Sequence, residues 1–181
     1  MIFNLFRRRG NAAIVDGLYL AVAEASRRPA FYAGWGVPDT VEGRFEMLTL
    51  HVVLLLRRLK ALPPPAGDLA QDLVDAVFAQ FDRALRELGV GDLTVPKRMK
   101  TMASAFYGRA KAYEDAFADD GELAAALARN LFGPAEPAAR GTVAVQYVRS
   151  AAAALERTSF DDIVAARLSF PEPGSIEGVS R

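Results

Sequence analysis

Arg44, His51 and Arg58 recur at intervals of seven residues, which on a helix sets them along one narrow polar stripe. His51 is the one histidine of the chain, so any imidazole-based proton transfer would rest on it. Cations on either side would disfavour its charged form, which suits a neutral base beside an anionic substrate. The alternative is structural: a half-buried histidine bonded to a backbone carbonyl or a carboxylate. No nucleophile accompanies it, because cysteine is absent and the chain has no Gly-x-Ser-x-Gly elbow, Walker A loop or His-Glu-x-x-His helix. Lack of cysteine also excludes disulfides, thiolate metal sites and iron–sulfur clusters, and one histidine excludes multi-histidine metal centres. The paired acids Asp119-Asp120 and Asp161-Asp162 fall at helix starts, where carboxylates cap backbone N–H groups and oppose the dipole. Gly89-Val90-Gly91 follows a helix and not a strand, so it reads as a helix terminus, not a dinucleotide loop.

A second pattern is electrostatic. Between Val95 and Tyr113 stand Lys97, Arg98, Lys100, Arg109 and Lys111 with no acid among them. On a helical wheel Lys97, Lys100, Ser104, Gly108 and Lys111 share the face opposite Met99 and Phe106, with Arg98 and Arg109 at its flank. Such a stripe is either a solvated face neutralised by acids such as Asp72, Asp75 or Glu87, or a docking surface for an acidic partner, RNA or anionic lipid. Over the whole chain 22 Lys+Arg balance 22 Asp+Glu, so no global field draws the protein onto DNA. RNA is the weakest of the three partners, since no recognition motif accompanies the charge.

These residues need helices to position them. The 181 residues suit one domain, and 51% hydrophobic with 24% charged residues is globular composition. Apolar residues recur at helical spacing from Ala12 to Arg28, where Pro29 ends the pattern. Phe31 to Pro38, aromatic and glycine-rich, reads as an ordered loop packed on the body. Asp39-Thr40 caps a helix running to about Leu62, apolar on two sides and therefore sandwiched in the interior. After Pro63-Pro64-Pro65 a helix from about Leu69 to Leu88 carries Leu73, Val77, Phe81 and Leu85 on one face and ends at Gly89. Pro96 opens another to about Ala118, with Met99, Met102, Phe106, Tyr113 and Phe117 inward. Shorter helices follow from Asp119-Asp120 to Phe132 and from Thr142 to Arg157. The expectation is an all-α orthogonal bundle of six to seven helices. Residues 1–10 form an N-terminal segment, 11–159 the helical domain, and 160–181 an irregular tail rich in proline and glycine.

The apolar start Met1 to Phe6 precedes Arg7-Arg8-Arg9, the reverse of a secretory signal, and no apolar run approaches the ~20 residues of a membrane span. The expected place is a bacterial-type cytoplasm, with Phe3, Leu5 and Phe6 able to touch a membrane surface weakly.

Two segments carry a family likeness. One is Val37-Pro38-Asp39-Thr40-Val41-Glu42-Gly43-Arg44-Phe45-Glu46-Met47, continuing to Leu50-His51. The other runs Leu85-Arg86-Glu87-Leu88-Gly89-Val90-Gly91-Asp92-Leu93, then Val95-Pro96-Lys97, Phe106-Tyr107-Gly108-Arg109 and Tyr113. In order and spacing the chain resembles the ubiquinol–cytochrome c chaperones, assembly factors of respiratory complex III. The resemblance implies an all-helical protein that is not an enzyme and uses no cofactor. Its implied partners are newly made cytochrome b and the cytochrome bc complex, with an anionic membrane surface as a further contact and ribosome binding left open. Candidate partner-binding residues are Tyr32, Trp35, Arg44, His51, Lys97, Lys100, Tyr107, Arg109 and Lys111. The competing functions are a small helical enzyme built on His51 with Arg44 and Arg58, and an RNA- or ribosome-binding adaptor using the 97–111 helix.

Overall fold

The structure, a computed structural model, describes the backbone of residues 2–175 and the side chains of 11–174. Within them the chain forms an all-α bundle of seven helices without a strand. These are α1 Ile2–Ser26, α2 Val41–Lys60, α3 Ala66–Glu87, α4 Val95–Ala116, α5 Asp120–Leu131, α6 Thr142–Glu156 and α7 Phe160–Val164. No described helix is long and apolar enough to cross a membrane.

Helix α2 is the axis of the bundle. Thr40 Oγ1 accepts from the Gly43 N–H at 3.1 Å, and this cap fixes where the helix starts. The Pro38 carbonyl lies so close that a Cβ on Gly43 would sit 1.9 Å from its oxygen, so the entry turn admits no side chain there. Beyond the cap α2 packs against α1, α3, α4, α5 and α6. Twelve of its 20 residues are buried, which is why it is apolar on two sides.

The remaining boundaries follow from local chemistry. Gly89 ends α3 at φ +76°, with Gly89 N–H donating to the Arg86 carbonyl and Val90 N–H to that of Leu85. That pairing is the left-handed terminator expected of a glycine after a helix. Asp119 caps α5 through Glu122 N–H at 2.9 Å, and Ser159 caps α7 through Asp162 N–H at 3.1 Å.

Two sequence expectations need correcting. Ala30–Gly34 is a π-helical turn, not a loop, and it seats Phe31 fully inside. The irregular tail is also more structured than its prolines and glycine suggest. It begins with α7, and Phe170 beyond it is 8% exposed, with its ring 5.1 Å from that of His51. Arg28 holds this stretch down, donating to the Phe170 and Pro171 carbonyls and pairing with Glu172 at 3.4 Å. At the other end the backbone of α1 continues to Ile2. The side chains of Phe3, Leu5 and Phe6, read as able to touch a membrane, lie outside the described ones.

Candidate functional site

The stripe Arg44–His51–Arg58 does not form a site. Helix α2 is enclosed on several sides, so positions seven apart meet three different surroundings. Arg44 is exposed and pairs with Asp39 at 2.6 Å. Arg58 reaches the Thr158 carbonyl at 2.9 Å. His51 is wholly buried, its Nδ1 at 2.7 Å from the Met47 carbonyl oxygen and its Nε2 at 2.6 Å from the Tyr147 hydroxyl. A carbonyl can only accept, so Nδ1 carries the hydrogen and Nε2 accepts from the Tyr147 O–H. Burial pushes the His51 pKa down to about 4, with the nearby Arg28 charge adding to the fall and the Met47 carbonyl opposing it. Burial also pushes the Tyr147 hydroxyl up, which keeps it an O–H donor. The outcome is a neutral structural histidine in a ring cluster with Phe31, Tyr147 and Phe170. It is neither a base facing substrate nor a partner-binding residue.

Trp35 is corrected in the same way. It is 8% exposed, packed edge-on against Phe31 at 4.9 Å and Tyr147 at 5.5 Å, and faces inward. Tyr32 is half-buried, and its hydroxyl donates to the Ser26 carbonyl at 2.9 Å.

Helix α4 splits between two roles. Lys97, Lys100, Tyr107 and Lys111 are exposed, whereas Phe106 and Tyr113 on the other side are buried. Lys111 pairs with Asp115 at 2.7 Å within the helix. Arg109 instead turns inward and grips Glu46 of α2 by two nitrogens, Nη2 at 2.8 Å and Nε at 3.1 Å. The Glu46 side chain keeps 11% of its exposure and that of Arg109 32%. Burial pushes the Glu46 carboxyl up against the opposing pull of Arg109, while bonding to Glu46 strengthens the hold of Arg109 on its proton. The two-pronged geometry decides for an ionised pair at neutral pH, so Arg109 is a clasp between α2 and α4 and not a free docking cation.

The feature that the residue pattern does not announce is a groove of about 590 Å³ among α1, α2, α3 and α4. Phe45, Leu48, Phe81, Leu85 and Met102 line it, the Phe45 and Phe81 rings lying 5.4 Å apart. Val41 and Leu88 stand on its lip at 59% and 65% exposure. Arg27, Glu87 and the Asp39-paired Arg44 also border it. The sequence pattern places Phe81 and Leu85 on the core face of α3, where both are buried, and the open positions are the ends of the apolar faces, Val41 and Leu88. The available signal was that these faces continue to the first residue of α2 and past the last of α3, where fewer neighbours can cover them. An apolar trough with a methionine in its wall suits an apolar or amphipathic peptide segment.

Comparison with known proteins agrees with the two motif segments. Residues 33–170 match the family described as ubiquinol–cytochrome C chaperone. Protein CBP3, mitochondrial, of Saccharomyces cerevisiae is 31% identical over 150 residues, covering 80% of this chain and 45% of the yeast protein. The ubiquinol–cytochrome c reductase complex assembly factor 1 of Xenopus laevis is 25% identical, covering 81% of this chain and 74% of its own length. A crystal structure described as the Cbp3 homolog from Brucella abortus superposes with a TM-score of 0.82 at 41% identity, covering 98% of this chain and all of that one. This chain therefore spans less than half of its yeast relative but the whole of its structural one.

Proposed function

The chain belongs to the ubiquinol–cytochrome c chaperone family, and on that premise we propose that it is a non-catalytic assembly chaperone for newly made cytochrome b. In this reading it holds an apolar segment of cytochrome b and promotes maturation of the ubiquinol–cytochrome c reductase complex, working at the membrane surface where that client is inserted. The observation that carries the reading is the groove, whose lip leaves Val41 and Leu88 more than half exposed. Two large apolar side chains left uncovered at the edge of an apolar trough fit a surface that another chain covers. Relatives named as complex III assembly factors supply the class of client. The sealed His51 leaves the competing enzyme reading without a base that substrate could reach.

Photo-crosslinking tests it. A benzophenone side chain placed at Val41 or Leu88, in cells that make cytochrome b, should capture cytochrome b. The same group at Glu156, exposed on α6 and outside the groove, should not. Adducts from Glu156 and none from the lip would place the client elsewhere.

A further inference from the structure

One surface of this protein joins bare cations to a bare leucine. The turn between α3 and α4 carries Leu93 at 98% exposure, and the outer face of α4 begins directly after it. Lys97 and Lys100 are exposed there and Arg98 is exposed at its flank, and no carboxylate among the described residues pairs with any of them. At about 1.5 Å per residue the face from Lys97 to Lys111 runs roughly 21 Å in a straight line. Midway along it stands Tyr107, 55% exposed and anchored against Phe78 and Phe106. Toward the far end of the helix Lys111 is paired with Asp115 and Glu114 with Arg57, and on the α3 side Asp92 is held by Arg86, so the unpaired charge lies at the start of α4.

We propose that this edge of the molecule docks on an anionic lipid bilayer, Leu93 entering the headgroup region and the outer face of α4 lying along it. The inference deepens the chaperone reading and rests on it for the biological setting, but the surface argument is independent of any client. Lysine and arginine near an anionic surface each gain attraction that dies within a Debye length. An aliphatic side chain beside them gains by leaving water, and an amphipathic tyrosine suits the interface. RNA would reward the cations but offers nothing to a protruding leucine, because stacking on bases needs a π face. Leu88, five residues before Leu93, is also on the groove lip. The turn that carries Leu93 thus starts beside the groove, at the residue that borders it.

The full-length chain is tested with vesicles alone, so a failure here is separable from a failure of the chaperone reading. Vesicles of phosphatidylcholine mixed with phosphatidylglycerol should pull down the protein, and those of phosphatidylcholine alone should not. Raising salt should release the wild type, a readout that needs no variant. Lys97→Glu, Arg98→Glu and Lys100→Glu together should lower partitioning by at least roughly a hundredfold, from about fivefold for each cation lost. The chain has no cysteine, so Leu93→Cys gives a single site for an environment-sensitive dye, whose emission should shift to the blue on anionic vesicles. An unshifted dye, retained binding by the triple variant, or capture of single-stranded RNA with no capture of vesicles would each overturn the proposal. A melt matching the wild type shows that the variants are folded, as expected for exposed charges.

Discussion

Replacing Arg109 by alanine is expected to lower stability by about 3 kcal/mol, at the lower end of what breaking a buried ion pair costs. The Glu46 carboxylate would then sit in a pocket that leaves its side chain 11% exposed, with its two-pronged partner gone. The Arg109 side chain, 32% exposed, is not itself deeply buried, and this holds the loss to the lower end. Lysine should rescue poorly, because one ammonium cannot reproduce the guanidinium fork. Glu46→Gln should be milder than Glu46→Ala, since an amide still accepts from Arg109. Denaturant unfolding of the variants checks the order. If Arg109→Ala and Arg109→Lys were both as stable as the wild type, the clasp would contribute nothing.

Acid should weaken the fold through His51. In the unfolded chain an ordinary histidine takes its proton near pH 6.5, whereas the buried ring does so only at about 4. Above pH 6.5 neither state is protonated and the full stability is present. As pH falls from 6.5 toward 4, the unfolded chain gains a proton that the folded one refuses, so stability is lost across that window. The total is on the order of 3 kcal/mol, with about 2 kcal/mol gone by about pH 5. That is a melting temperature lower by roughly 4 to 8 °C. Glu46 acts in the opposite sense, since its raised pKa makes the folded state the readier to take a proton. Comparing the wild type with His51→Gln, in which Glu46 is unchanged, isolates the histidine. The variant should lose far less between about pH 7.5 and about pH 5. Equal losses in both proteins would show that His51 is not held neutral in the core.

Where the sequence was a good guide, the determinants were local. Thr40, Gly89, Pro96 and Asp119 each act within a few residues, so the ends of α2, α3, α4 and α5 lie close to where those residues place them, whereas α7 falls in the stretch that reads as an irregular tail. Arg109 was legible in part. Its place at the flank of the basic stripe sets it apart from the lysines, though not as a docking residue: it turns inward to Glu46, 63 positions away on α2. His51 misled because helical spacing reports direction around α2 and not what comes to meet it. Its hydroxyl partner, Tyr147, is 96 positions away on α6. Trp35 misled similarly, since an aromatic, glycine-rich stretch signals packing without saying whether the rings face in or out. The groove was hidden for a related reason. Phe81 and Leu85 look like core residues and are buried, and only the packing of α1 and α4 beside them leaves a trough whose open edge is Val41 and Leu88.

The role as an assembly chaperone is tested most directly by the amount of assembled cytochrome bc complex in a strain lacking this gene. Blue native electrophoresis of its detergent-solubilised membranes should show that complex strongly reduced and the other respiratory complexes near their normal levels, with recovery when the gene is returned. A normal level of cytochrome bc complex in the clean deletion would contradict the account.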